Sequence, residues 1–257
     1  MKPLILYHGS DHIIRKPLYN YGKDDNDFGR GFYCTCEIEL GKEWACQFGK
    51  PGIVNKYTLD MEGLKVLYLN ASEFSILHWL SVLVQNREID DIENLEALEF
   101  LKNNYTLHTN KYDLIIGYRA DDSYFTFARD FINDGITLQT LYQAMTLGKL
   151  GVQYVLKSKK AFDSIIFNEA SDVPVNTYYT KYKERDSEAR KNYQTLKRTP
   201  KSEGIIMTEI IKNPQLLLDF ETERRKVLNN VRNDKTLGWS VNKKGKSSLD
   251  DNSDMGY

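Results

Sequence analysis

The sequence predicts an α+β protein carrying a helical C-terminal extension, and three observations lead there. Through about residue 170, short aliphatic and aromatic segments bounded by Gly, Asp or Asn alternate with longer stretches of helical periodicity. From 177 to 230 the chain turns polar and charged, with helical propensity interrupted only at prolines. A chain of 257 residues at 41% hydrophobic and 12% aromatic content can bury one sizeable core and a smaller appendage.

Taken in order, strands are predicted at 3–8, 51–59, 64–69, 113–118, 152–157 and 163–167, each short and rich in Val, Ile, Leu or Tyr. Helices are predicted at 39–48, 73–87, 92–104, 123–133 and 137–147. Ser72, ahead of Phe74, Leu77, Trp79 and Leu80, marks the start of the second helix, and Asp122 stands where the N-cap of the fourth belongs. The longest apolar run, Phe74 to Val84, is broken by Ser75, His78 and Ser81. It reads as a buried helix, well short of the ~18–20 residues that cross a bilayer, so no membrane partner is expected. Beyond 170, breaks fall at Thr199-Pro200 and Asn213-Pro214, and Ile205, Ile206, Ile210 and Ile211 give one packing face. From about Asn233 onward apolar residues almost vanish, which predicts a disordered tail. The expected division is therefore 1–170, 171–232 and 233–257.

The net charge is −1, unevenly spread: residues 181–257 hold 17 Lys and Arg against 12 Asp and Glu, and residues 1–180 hold 18 against 24. The basic arm can contact nucleic acid or an acidic partner, although its interleaved charges read first as a solvated helical face. Cys34, Cys36 and Cys46 cannot all pair within one chain, and Met1-Lys2-Pro3 runs straight into a strand, so a reducing cytoplasm is expected. Cys34-x-Cys36 lacks the usual zinc-ligand spacing, and no metal is expected. Gly29-Arg30-Gly31 lacks the Lys-Ser/Thr of a phosphate loop.

Two motifs carry chemistry. Tyr7-His8-Gly9-Ser10 follows the apolar Leu4-Ile5-Leu6 and brings an imidazole, a bare backbone and a hydroxyl to one sheet edge. Such a set can hold a ribose hydroxyl, pair a carboxamide through Gly9 and orient a second ribose. Alone, it also describes a turn with a satisfied histidine. The second motif, Asp27-Phe28-Gly29-Arg30-Gly31-Phe32-Tyr33-Cys34-Thr35, sets two glycines before an aromatic pair, where backbone passes close to a neighbour or takes positive φ. Trp44 lies eleven residues past Tyr33.

In this order the motifs resemble the nicotinamide-binding half of the ADP-ribosyltransferase superfamily, in its diphtheria-toxin and poly-ADP-ribose-polymerase branch. With Glu43-Trp44-Ala45, Asp113 to Gly117, Ala120-Asp121-Asp122 and Gln153-Tyr154, the pattern looks most like a bacterial family known as domain of unknown function 3990, across roughly residues 4–167. The resemblance implies a split antiparallel β-sandwich with inserted helices, and NAD as co-substrate without a metal. It implies His8 on the adenosine ribose, Gly9 on the nicotinamide amide, Ser10 on the nicotinamide ribose, and Tyr33 and Trp44 on the two faces of the nicotinamide ring. Arg30 and Phe32 join the cofactor-binding set. The catalytic set becomes His8, Tyr33 and Gln153, with Gln153 standing where the branch usually has glutamate. A neutral amide accepts a hydroxyl hydrogen bond but opposes positive charge less than a carboxylate, so Gln153→Glu is expected to raise the rate.

Asp121-Asp122 reads either as an N-cap with an acidic first turn or as an acceptor-positioning or auxiliary carboxylate pair. The implied activity is mono-ADP-ribosylation of a protein or nucleic acid, as in a bacterial toxin or phage-defence effector with a cognate antitoxin. The alternatives are an idle NAD- or ADP-ribose-binding module and a protein-interaction unit with a neutralising partner.

Overall fold

Apolar Leu4-Ile5-Leu6 opens strand β1 (Leu4–Ser10), and the second motif ends in the short β2 (Phe32–Cys34). These belong to a computed structural model that describes residues 3–88, 91–120, 122–149 and 151–233. Helix α1 (Ile38–Cys46), strands β3 (Gly52–Leu59) and β4 (Val66–Tyr68), and helices α2 (Ile76–Asn86) and α3 (Leu95–Asn104) follow. Then come β5 (Leu114–Tyr118), α4 (Asp122–Ile132), α5 (Leu138–Ala144), β6 (Val152–Leu156), α6 (Lys159–Asp163) and β7 (Ile165–Val173). The C-terminal part is helical: α7 (Val175–Leu196), α8 (Met207–Lys212) and α9 (Gln215–Asn233).

The strands form two sheets, ordered β1-β3-β7 and β2-β6-β5-β4. All pairings are antiparallel except β4 with β5. The period-2 alternation of a strand then sorts side chains into two layers. Leu6, Tyr57 and Leu59 from the first sheet meet Phe32, Cys34, Leu114, Ile116 and Leu156 from the second, with Phe162 closing the end. The opposite face of the second sheet, through Ile115 and Val155, packs on a larger helical core. There Leu77, Trp79, Leu80 and Leu83 of α2 are buried with Phe127 and Phe131 of α4.

Several boundaries differ from expectation. Helix α2 begins at Ile76 with Ser75 as its cap, not Ser72, and the Ser75 N–H donates to His78 Nδ1 at 3.0 Å. Helix α4 begins at Asp122, so that residue lies inside the helix rather than capping it. Strand β7 continues to Val173, past its apolar stretch, because β3 offers a partner along its whole length, with Gly52 paired to Val173. The boundary expected at 170 thus falls within a strand. Tyr193, Met207, Ile210 and Leu217 from the C-terminal helices are buried in the same core as Trp79. The tail expected from 233 lies, from 234 onward, outside the described residues.

Candidate functional site

The two sheets part at β1 and β2. Tyr7 and Thr35 exchange two backbone hydrogen bonds, at 2.7 and 2.9 Å, and this isolated bridge joins the strands. Strand alternation turns the N–H and C=O of Gly9 the same way as those of Tyr7, into the gap where the strands separate. His8 reaches across that gap, its Nδ1 2.7 Å from the Tyr33 carbonyl. A carbonyl only accepts, so Nδ1 carries the proton and Nε2 is left as an acceptor. Burial lowers the His8 pKa from its ordinary 6.5, outweighing the opposing hydrogen bond to Tyr33, which keeps the ring neutral at neutral pH.

Register sets the opposite wall. Tyr33 pairs with Val155, and Gln153 lies two residues further along β6, so both side chains leave the same face of the sheet. The Tyr33 hydroxyl donates to Gly29 O at 2.5 Å and accepts from the Phe28 N–H at 3.0 Å, and burial pushes its pKa up, so it stays protonated. The two glycines of the motif answer to different needs. Gly29 turns with φ of 69°, while a Cβ on Gly31 would lie 2.6 Å from Val155 Cγ1 and 2.8 Å from Leu156 O. Lys157, at the end of β6, clamps the loop by donating to Phe28 O and Arg30 O at 2.5 Å each, and burial lowers its pKa to about 8.

Helix α1 presents Trp44, Gln47 follows just past its end, and α7 adds Tyr182. Charge pairs fasten α7 to α1: Arg185 to Glu43 at 2.8 Å and Lys181 to Glu39 at 2.9 Å. The Arg119 guanidinium stands 4.2 Å from the centre of the Trp44 ring, and Trp44 Nε1 is buried with no hydrogen-bond partner. At the base, buried Asp27 accepts from Arg87 at 2.8 Å, from the Ala120 N–H at 2.9 Å and from Gln153 Nε2 at 2.7 Å. These walls enclose a cleft of about 280 Å³.

Five expected site residues, His8, Gly9, Tyr33, Trp44 and Gln153, meet in this cleft. Three others stand apart from it. Phe32 precedes Tyr33 in β2 and therefore faces the inter-sheet core, against the His8 ring at 4.4 Å and the Tyr57 ring at 5.5 Å. The Ser10 hydroxyl donates to His12 O at 2.7 Å and accepts from Asn55 Nδ2 at 2.9 Å. Arg30 is held at the surface by Asp24, at 2.6 and 2.5 Å. Asp121 lies outside the described residues, and only the backbone of Asp122, at the start of α4, is described.

Sequence pattern alone passes over Asn26, Asp27, Gln47, Arg87, Arg119 and Tyr182, which also line the cleft. Gln47 follows Trp44 by three residues on one helix face, a signal that is available in the sequence. Asp27 opens the second motif, but its role depends on a partner 126 positions away.

A family model described as protein of unknown function (DUF3990) matches residues 4–167. No curated protein and no solved structure gives a significant match.

Proposed function

From the premise that the chain belongs to the family described as protein of unknown function (DUF3990), we propose that it is an NAD-dependent mono-ADP-ribosyltransferase. Its acceptor is a macromolecule, protein or nucleic acid, and its fold is the split β-sandwich of that superfamily. The observation that carries the reading is the meeting of His8, Gly9, Tyr33, Trp44 and Gln153 in one cleft, although they come from four separate elements. The lining suits a dinucleotide: aromatic faces for a cationic ring, guanidinium groups for a diphosphate, and neutral acceptors for ribose hydroxyls. The unpartnered Nε1 of Trp44 is a donor in want of an acceptor.

In this reading the Gly9 N–H and C=O pair with the nicotinamide carboxamide, whose own donor and acceptor complement them. Tyr33 and Trp44 flank the pyridinium, with Arg119 sharing or ceding the indole face it covers. His8 Nε2 accepts from one ribose hydroxyl and Gln153 Oε1 from the other. The bond between the anomeric carbon and the pyridinium nitrogen breaks, and its electron pair goes to the nitrogen. Nicotinamide leaves neutral, and positive charge gathers on the ribose. The acceptor's oxygen or nitrogen then bonds to the anomeric carbon and loses its proton to solvent.

A second reading, an NAD-binding module without turnover, is favoured by the neutral amide at position 153. Release of nicotinamide separates the two. A toxin or defence role, with a neutralising partner, is proposed only as the setting for this activity.

Binding is tested by fluorescence. Trp79 is buried, with its Nε1 donating to Tyr118 O at 3.0 Å, so Trp44 is the described indole that NAD reaches. NAD is expected to quench tryptophan emission, and Trp44→Ala to remove most of that quench and weaken binding by about 0.5–2 kcal/mol. Emission unchanged at millimolar NAD would overturn the site.

A further inference from the structure

We propose that Asp27 is the positioning residue that holds the Gln153 amide with its carbonyl toward the cleft, so that the two side chains act as one acid–amide pair. This rests on the transferase reading above. An ionised carboxylate can only accept hydrogen bonds, and Asp27 Oδ2 lies 2.7 Å from Gln153 Nε2. The amide's NH₂ is therefore committed to Asp27, and its other end, Oε1, is the acceptor left for a ribose hydroxyl. Asp27 is itself held by two further donors. Arg87, beyond the end of α2, bonds Oδ1 at 2.8 Å, the Ala120 N–H after β5 bonds Oδ2 at 2.9 Å, and Arg87 is braced over the Phe125 ring at 4.0 Å. Accepting from Nε2 also polarises the amide toward Oε1, which strengthens it as an acceptor.

The pair reverses the expectation that a glutamate substitution raises the rate. In Gln153→Glu the new carboxyl group faces Asp27 at hydrogen-bond distance, and two carboxylates so placed share one proton. With the proton present, the substituted side chain imitates the glutamine: its O–H is given to Asp27 and its carbonyl faces the cleft. Without it, the two charges repel and the acceptor is displaced. Asp27→Asn fails differently, since the new amide's NH₂ competes with Nε2 and favours a Gln153 turned with its donor to the cleft. Combining Asp27→Asn with Gln153→Glu restores a complementary pair, with the carboxylate now nearer the ribose and only the Ala120 N–H short of an acceptor.

The test is nicotinamide release from NAD by wild type, Asp27→Asn, Gln153→Glu and the double variant, at about pH 6 and about pH 8. Thermal unfolding and tryptophan quenching serve as controls for fold and NAD affinity. Each single variant is expected to fall about tenfold or more in kcat at the higher pH with little change in affinity. Gln153→Glu should recover relative to wild type at the lower pH, and the double variant should return to within about tenfold of wild type. Gln153→Glu equal to or faster than wild type at both values, or a double variant no better than the weaker single one, would overturn the pairing and leave the transferase reading standing. A folded wild type that neither binds NAD nor releases nicotinamide would overturn both.

Discussion

Gly9→Ala is expected to unseat helix α1 and abolish nicotinamide release. A Cβ at Gly9 would fall on Gly41 O and Ala45 N, both backbone atoms of α1, so neither can rotate out of the way. Gly52, on the other side, would meet Ala45 O in the same manner. Helix α1 therefore lies close against the bare backbone of Gly9 and Gly52 at Ala45, and this seats Trp44 over the gap in the sheet. Overpacking of this kind costs about 1–3 kcal/mol, which for a chain of this size lowers the thermal midpoint by about 2–12 °C. The effect on turnover should be larger than the effect on stability, because displacement of α1 moves Trp44 and Gln47 together, and small misplacements weigh heavily in a positioned site. A Gly9→Ala variant with wild-type stability and NAD affinity would show that the close contact is not what places the cleft.

The second large effect belongs to His8. His8→Ala removes Nε2, the acceptor proposed for a ribose hydroxyl, and leaves the Tyr33 carbonyl without its side-chain donor. NAD affinity is expected to fall by about 1–3 kcal/mol, roughly 5- to 150-fold, with a smaller loss of stability. Acid acts on the same atom. Burial lowers the folded His8 pKa below the 6.5 of an unfolded chain, so in the window between the two the unfolded state binds more protons. The stability tied to neutral His8 is thus complete above about pH 6.5 and is lost as pH falls through the lowered folded value. NAD binding should weaken as pH falls through that lowered folded value, because a protonated Nε2 no longer accepts. Titrating affinity and thermal midpoint in wild type and His8→Ala checks this. Equal losses of stability and binding would assign His8 a structural role instead.

The two motifs and most of the elements are legible in the sequence because both depend on local pattern. Leu4-Ile5-Leu6 followed by His8-Gly9 reads as a strand ending in a polar edge, and Gly29 and Gly31 announce constrained backbone. Pairings made at a distance are not legible. Adjacency in sequence groups Phe32 with Tyr33, yet adjacency in a strand guarantees opposite faces. Arg30 carries the one positive charge of the motif, but Asp24, six residues earlier, holds it at the surface. Asp27 stands at the head of the motif, while local pattern points to Asp121 and Asp122 for the auxiliary carboxylate. Only the fold brings residue 27 to residue 153. Tyr182 escapes notice for a different reason: α7 is mostly polar and charged, and its contact with α1 includes ion pairs such as Arg185–Glu43.

Cleavage of the nicotinamide–ribose bond of NAD in this cleft is measured by incubating the folded protein with NAD, with and without cell extract, and quantifying free nicotinamide by chromatography. Nicotinamide is expected to form in step with ADP-ribose, either free or added in mass to a protein or nucleic acid, and this is expected to be lost in Gly9→Ala. NAD that stays intact under both conditions, with a protein that still binds it, would rule out transferase activity and leave a binding module in its place.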